Sequence, residues 1–69
     1  MRTEIYESDP FTAQKAHLLL SIETPYRFER NDELFITPPG GQRIKVRVIN
    51  VRLEIDGQQM RRELLVLKL

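Results

Sequence analysis

Residues 42–55 run QRIKVRVINVRLEI, and the periodicity of this stretch decides the fold. Apolar side chains fall at Ile44, Val46 and Val48, and again at Ile49, Val51, Leu53 and Ile55. A period of two is the signature of a half-buried strand, and β-branched residues, which suit a pleated surface, dominate the run. The alternation changes phase between Val48 and Ile49, so a regular pleat would leave one apolar set in water. A β-bulge near Val48–Asn50 returns both sets to one face. A bent strand whose halves pack on different core layers is the other solution. The bulge is the favoured reading, and either device bends the strand strongly.

Turn signals bracket this strand and suggest its neighbours. At Asp56-Gly57, a two-residue loop of those residues would oppose Arg52 to Arg61, a like-charge pair. A four-residue loop from Asp56 to Gln59 instead pairs Ile55 with Met60, Glu54 with Arg61, Arg52 with Glu63 and Val51 with Leu64. Cross-strand charge therefore favours the longer loop. At Pro38-Pro39-Gly40-Gly41, a three-residue loop with Gly41 left-handed pairs Ile36 with Ile44, Leu34 with Val46 and Glu33 with Arg47. Strands over 33–37, 42–55 and 60–69 form a meander.

Residues 9–24 are open to two readings. Asp9-Pro10 is a good helix opening, with a capping carboxylate and a proline at the first helical position. A helix over 10–22 would have no polar face, because Phe11, Leu18 and Ile22 lie opposite Ala13, Ala16 and Leu20. The expectation is one helical turn at 10–15 followed by a strand over 16–24. In that strand Ala16, Leu18, Leu20 and Ile22 point inward, with Leu19 as the one violation. Residues 2–7 read as a short first strand. Five short strands in one domain, 1–69, predict an all-β fold: a small SH3-like or OB-like barrel. Such folds serve many functions, so architecture alone assigns none.

Composition narrows the classes. Eleven Lys/Arg against ten Asp/Glu leave a net charge of +1, which excludes a polybasic tail and an acidic disordered segment. With no cysteine and one histidine, a disulfide, a thiolate nucleophile and a two-imidazole site are all excluded. No metal or cofactor is expected. The longest apolar run, Leu18-Leu19-Leu20, falls far short of the roughly 20 residues of a membrane span. Met1-Arg2-Thr3-Glu4 leads into no apolar signal region. The expectation is a cytoplasmic protein without a membrane partner. A chain this short buries only about 60% of its unfolded surface, so stability without a staple needs a closely patterned core or self-association.

Three groups of residues are candidates for function. Arg43, Lys45 and Arg47 alternate with core positions and project from one face, and the predicted register adds Lys68 opposite Arg47. A cationic row on a curved sheet can track a phosphate backbone, with Tyr26 or Phe28 stacking bases. Glu33 facing Arg47 and the near-zero net charge favour a solvated, edge-protecting face instead. The cluster Tyr26, Arg27, Phe28, Glu29 and Arg30 reads first as a cap on the open end of the barrel. Finally, Leu64–Leu69 is apolar on both faces, so this strand is either central or packed on another chain through Leu65, Leu67 or Leu69.

No catalytic constellation accompanies these groups. His17 lacks a nucleophile or second ligand at a diagnostic spacing and reads as an exposed strand residue. Pro38–Gly41 lacks the glycine-lysine spacing of a phosphate loop, and Glu29, Asp32 and Glu33 are too few for a calcium loop. The leading expectation is a non-catalytic interaction or structural module, acting as a homo-oligomer or with a protein partner in a larger assembly. Single-stranded RNA or DNA binding by the cationic row is the alternative. A small-molecule substrate is not expected.

Overall fold

The computed structural model describes residues 1–69. Five strands make up its regular structure: β1 (Arg2–Ser8), β2 (Lys15–Glu23), β3 (Glu33–Ile36), β4 (Ile44–Asp56) and β5 (Gln59–Lys68). They form one sheet in the order β2-β1-β5-β4-β3. The protein is all-β, a curled half-barrel consistent with the small SH3/OB-like class. Every pairing is antiparallel except β1 with β5, which is parallel.

The meander forms in the expected register. Ile36 opposes Ile44 and Glu33 opposes Arg47 across β3 and β4, while Ile55 opposes Met60 and Arg52 opposes Glu63 across β4 and β5. The pairing of β4 with β5 slips between Val48 and Asn50 and leaves Ile49 without a partner. This bulge turns Val51 back to the face that carries Val46 and Val48, as the phase change required.

Both turns differ in detail from the sequence expectation. Asp56 pairs with Gln59, so the loop is the two residues Gly57 and Gln58 rather than four. Gly57 takes φ 62°, the positive angle that a type II′ turn needs at its first central position. The charge-matched register is therefore reached with a tight turn placed one residue later. At the other hairpin the left-handed residue is Gly40, φ 73°, not Gly41. The Gly41 amide donates to the Pro38 carbonyl at 2.9 Å, as in a type II turn with proline second and glycine third.

The central place of β5 explains its two apolar faces. It lies between β1 and β4, and residues Arg62 to Val66 are all buried. Ile5, Val46, Val48, Leu64 and Val66 form the core on the concave face, with Leu19, Leu20, Phe28, Leu34, Ile36, Ile44 and Val51 packed around them. Side chains from the outermost strands β2 and β3 thus reach one core, which requires the sheet to curl.

Residues 9–24 contain no helix. Asp9 Oδ1 accepts hydrogen bonds from the amides of Phe11 at 2.8 Å and Thr12 at 3.0 Å. The Ala13 amide then donates to the Asp9 carbonyl at 2.9 Å, which closes one α-type turn. Ala13 has φ 56°, and this left-handed residue ends the turn where a helix would have continued. The predicted helical turn survives only as this capped loop. In β2 the expected alternation is also corrected. Ile5 pairs with Leu20 but Tyr6 with Leu18, so a second bulge at Leu19 brings Leu19 and Leu20 together to the core and leaves Leu18 exposed.

Candidate interaction surfaces

The sheet curls but its edges do not meet by hydrogen bonds: β2 and β3 are the two outer strands. Between them lies an apolar cleft of about 420 Å³. Leu20 and Ile22 line it from β2, Leu34 and Ile36 from β3, with buried Ile5 and the Phe28 ring completing the lining. Each bordering strand has an outer row of backbone N–H and C=O groups without a neighbouring strand, an arrangement that receives an added strand readily. A wider hollow near Arg2, Glu23, Asp56 and Met60 is mostly polar, and it brings together no nucleophile with a base.

The segment bearing the predicted aromatic cluster is held across the sheet by Arg62. Its Nη1 donates to the Tyr26 carbonyl at 2.6 Å. Nη2 donates to the Thr24 carbonyl at 3.2 Å and to Thr3 Oγ1 at 2.9 Å, and Nε donates to the same hydroxyl at 3.2 Å. The guanidinium also lies over the Phe28 ring, 5.1 Å from its centroid. Arg62 is buried and has no carboxylate partner; its charge is solvated by oxygen dipoles and an aromatic face. Phe28 thereby packs on the core, and Tyr26, exposed, meets it edge-on at 4.8 Å. Phe28 has the place of a cap, which limits its use for base stacking. Arg62 was not among the candidates, because an arginine in an alternating strand reads as solvent-facing. The Arg52–Arg62 spacing alone carries no signal that one would be buried.

The cationic row is largely neutralised. Glu33 accepts from Lys45 at 3.0 Å and from Arg47 at 2.9 Å, and the Arg47 and Lys45 bonds hold its carboxyl below the usual 4.5. Arg43 stacks on the Phe35 ring, 4.3 Å from its centroid. Lys68 does not join the row. The bulge at Ile49 shifts the pairing beyond it, so Lys68 opposes Val46 instead of Arg47, and its Nζ lies 3.7 Å from Glu7.

The structure places the expected contact leucines unequally. Leu65 is buried, Leu67 is half-buried and only Leu69 is well exposed. Their pattern is accounted for by the central position of β5. His17 is exposed and pairs with Glu7 at 3.1 Å. Asp32 caps a turn by accepting the Glu29 amide at 2.9 Å.

The convex face holds a network about Arg61. This side chain reaches Glu54 at 2.7 Å, Glu4 at 3.5 Å and Glu63 at 3.9 Å. Lys15 pairs with Glu63 at 3.1 Å while its ammonium covers Tyr6 at 4.5 Å. Opposite charges on adjacent strands thus surround the buried carboxylates of Glu4 and Glu63, although Glu4 Oε1 accepts no hydrogen bond. No group of three or more potential metal-ligating side chains is assembled anywhere in the chain, and no helix is long and apolar enough to cross a membrane. Compared with protein-family models, with curated proteins and with solved structures, the chain matches none.

Proposed function

We propose that this protein is a non-catalytic interaction module of the cytoplasm, working as an oligomer or as one subunit of a larger protein assembly. The observation that carries the reading is the incomplete closure of the barrel: an apolar cleft bordered by two strand edges. Backbone groups along such an edge give affinity to any extended chain, and the apolar walls select alternate apolar side chains. The occupant is an extended protein segment with apolar residues at every second position.

A titration of isotope-labelled protein with a capped peptide of alternating valine and threonine tests this. Amide shifts confined to residues 16–22 and 33–36 are expected, and their loss in Ile22→Lys, a change at an exposed cleft wall. No shift at millimolar peptide overturns the assignment of the cleft.

Nucleic-acid binding by Arg43, Lys45 and Arg47 is the competing reading. Its support is the alignment of the three side chains on one strand face with Arg43 against Phe35. The bonds from Glu33 to two of the three cations weaken it, since those charges release fewer counterions on meeting phosphate.

A further inference from the structure

The outer side of β4 is covered over only part of its length. β3 pairs with residues 44–47, and the preceding turn adds bonds between Val48 and residues Asn31 and Asp32. Beyond them, no strand lies beside residues 49–56 on that side. Asp56 and Gln59 close the hairpin, and Glu54 and Arg52 face Arg61 and Glu63. In an antiparallel ladder alternate residues turn both backbone groups to the same side. Val51, Leu53 and Ile55 therefore present their N–H and C=O groups outward.

Edges of this kind are normally blunted by charged side chains, proline, a bulge or an inward charge. Between Val51 and Ile55 this one has no proline and no inward charge, and its two charges, Arg52 and Glu54, are of opposite sign. On the other face its side chains are apolar and exposed, with Leu53 at 48%, Ile55 at 65% and neighbouring Met60 at 46%. Arg52, on the face opposite to these apolar residues, has no ion-pair partner in the chain.

We infer that this edge is a homodimer interface, in which β4 pairs antiparallel with β4 of a second copy about a two-fold axis at Leu53. The occupant follows from self-complementarity. With Leu53 on the axis, all three outward residues are matched: Leu53 with its own counterpart and Val51 with Ile55 of the second copy, giving about six backbone hydrogen bonds. The same register sets Arg52 against Glu54 of the second copy, twice by symmetry, and Asn50 against Asp56. Shifting one step either way opposes Arg52 to Arg52 or Glu54 to Glu54 and leaves an outward residue unmatched. Like charges directly opposite destabilise a sheet pair. Only the Leu53-centred register satisfies both backbone and charge, and it sets the two exposed apolar rows side by side on one face. The inference goes beyond the cleft reading and does not depend on it, because the cleft lies between β2 and β3.

Site-specific cross-linking tests the register in the full chain, which has no cysteine of its own. In Leu53→Cys the two sulfurs face each other across a hydrogen-bonded pair, whose Cα separation of about 5.5 Å suits a disulfide. In Ile55→Cys the two copies' residues are separated by about four residues along the ladder, far beyond disulfide reach. Mild oxidation should link Leu53→Cys at least tenfold faster than Ile55→Cys.

Two charge variants on the edge strand give an independent readout by light scattering. Arg52→Glu and Glu54→Arg should each be monomeric alone, and an equimolar mixture should regain a mass of twice 8.2 kDa. Equal cross-linking of the two cysteine variants, or a mixture that stays monomeric while circular dichroism shows folded protein, overturns the interface. The peptide titration at the cleft reads out separately, and Ile22→Lys should leave the dimer intact.

Discussion

Arg62 of β5 donates from Nη1 to the carbonyl of Tyr26 at 2.6 Å, so a buried guanidinium fixes a segment 36 residues away in the chain. The same side chain bonds Thr3 and the Thr24 carbonyl. One residue thereby joins the central strand, β1 and the connection between β2 and β3. That connection carries Phe28, which lines the apolar cleft.

Removing this link is expected to be costly. Arg62→Leu leaves two carbonyls and a hydroxyl with lost partners, so unfolding in urea should show a destabilisation of about 2–3 kcal/mol. Amides of residues 24–28 should also exchange faster than in the parent protein. If Arg62→Leu matches the parent in both measurements, Arg62 does not hold the segment.

The concave core and the hairpin tip should respond oppositely to truncation. Leu64 is fully buried among Ile5, Val48 and Val66, so Leu64→Ala should cost about 3 kcal/mol from lost burial and a residual cavity. Leu53 is half exposed, and in dilute solution Leu53→Ala should change stability by no more than about 0.5 kcal/mol. Denaturant midpoints of the two variants compare these directly.

Glycine should stabilise the chain at one unexpected place. Ala13 is held at φ 56°, a conformation that costs an L-residue with a Cβ about 1–2 kcal/mol. Glycine returns part of that gain through the greater freedom of its unfolded state, about 0.4–1 kcal/mol. Ala13→Gly should therefore raise the thermal midpoint slightly. Gly40→Ala, at φ 73°, should lower it.

Acid should weaken the fold through three carboxylates. The Phe11 and Thr12 amides lower Asp9 from 3.8, Arg47 and Lys45 lower Glu33 from 4.5, and Arg61 lowers Glu54 from 4.5. Each folded value lies below its unfolded value, so the stabilisation is complete above those ordinary values. It is lost as the pH falls through the lowered ones. All three groups remain in contact with solvent, Glu33 most fully, so the loss should be shallow. Thermal midpoints recorded down to pH 2 should fall less steeply for Glu33→Gln than for the parent.

The same Glu33 separates the two functional readings. Glu33→Gln frees Lys45 and Arg47 from their shared carboxylate. Any binding of mixed oligonucleotides at low salt should tighten and become more salt-dependent. Peptide binding at the cleft should change little, since Glu33 is the one polar residue in an otherwise apolar lining. Tightening of peptide binding instead would argue against the apolar walls as the recognising surface.

Local chemistry was legible where it acts between chain neighbours. The phase change at Val48–Ile49 called for a bulge, and Ile49 is the unpaired residue. Like-charge avoidance between Arg52 and Arg61 chose the hairpin register, although the turn itself moved to Gly57-Gln58. The fault in that turn was local too: with the register held, a glycine at φ 62° permits two residues where four were expected. The Lys68 assignment failed for a cumulative reason, since one bulge displaces every pairing that follows it.

Period and charge along the chain determined by themselves the all-β class, the curved meander and the facing residues of its two hairpins up to the bulge at Ile49. These depend on the alternation of side chains and on turns only a few residues long. The tertiary structure alone decided that β1 lies parallel beside β5, that Arg62 is buried, and where the sheet stops. Those features join residues tens of positions apart, and no periodicity in a strand encodes its partner on the far side. The two surfaces proposed to bind other chains are both edges. An edge is defined by the strand that is missing beside it, which can be seen only once all five have found their places.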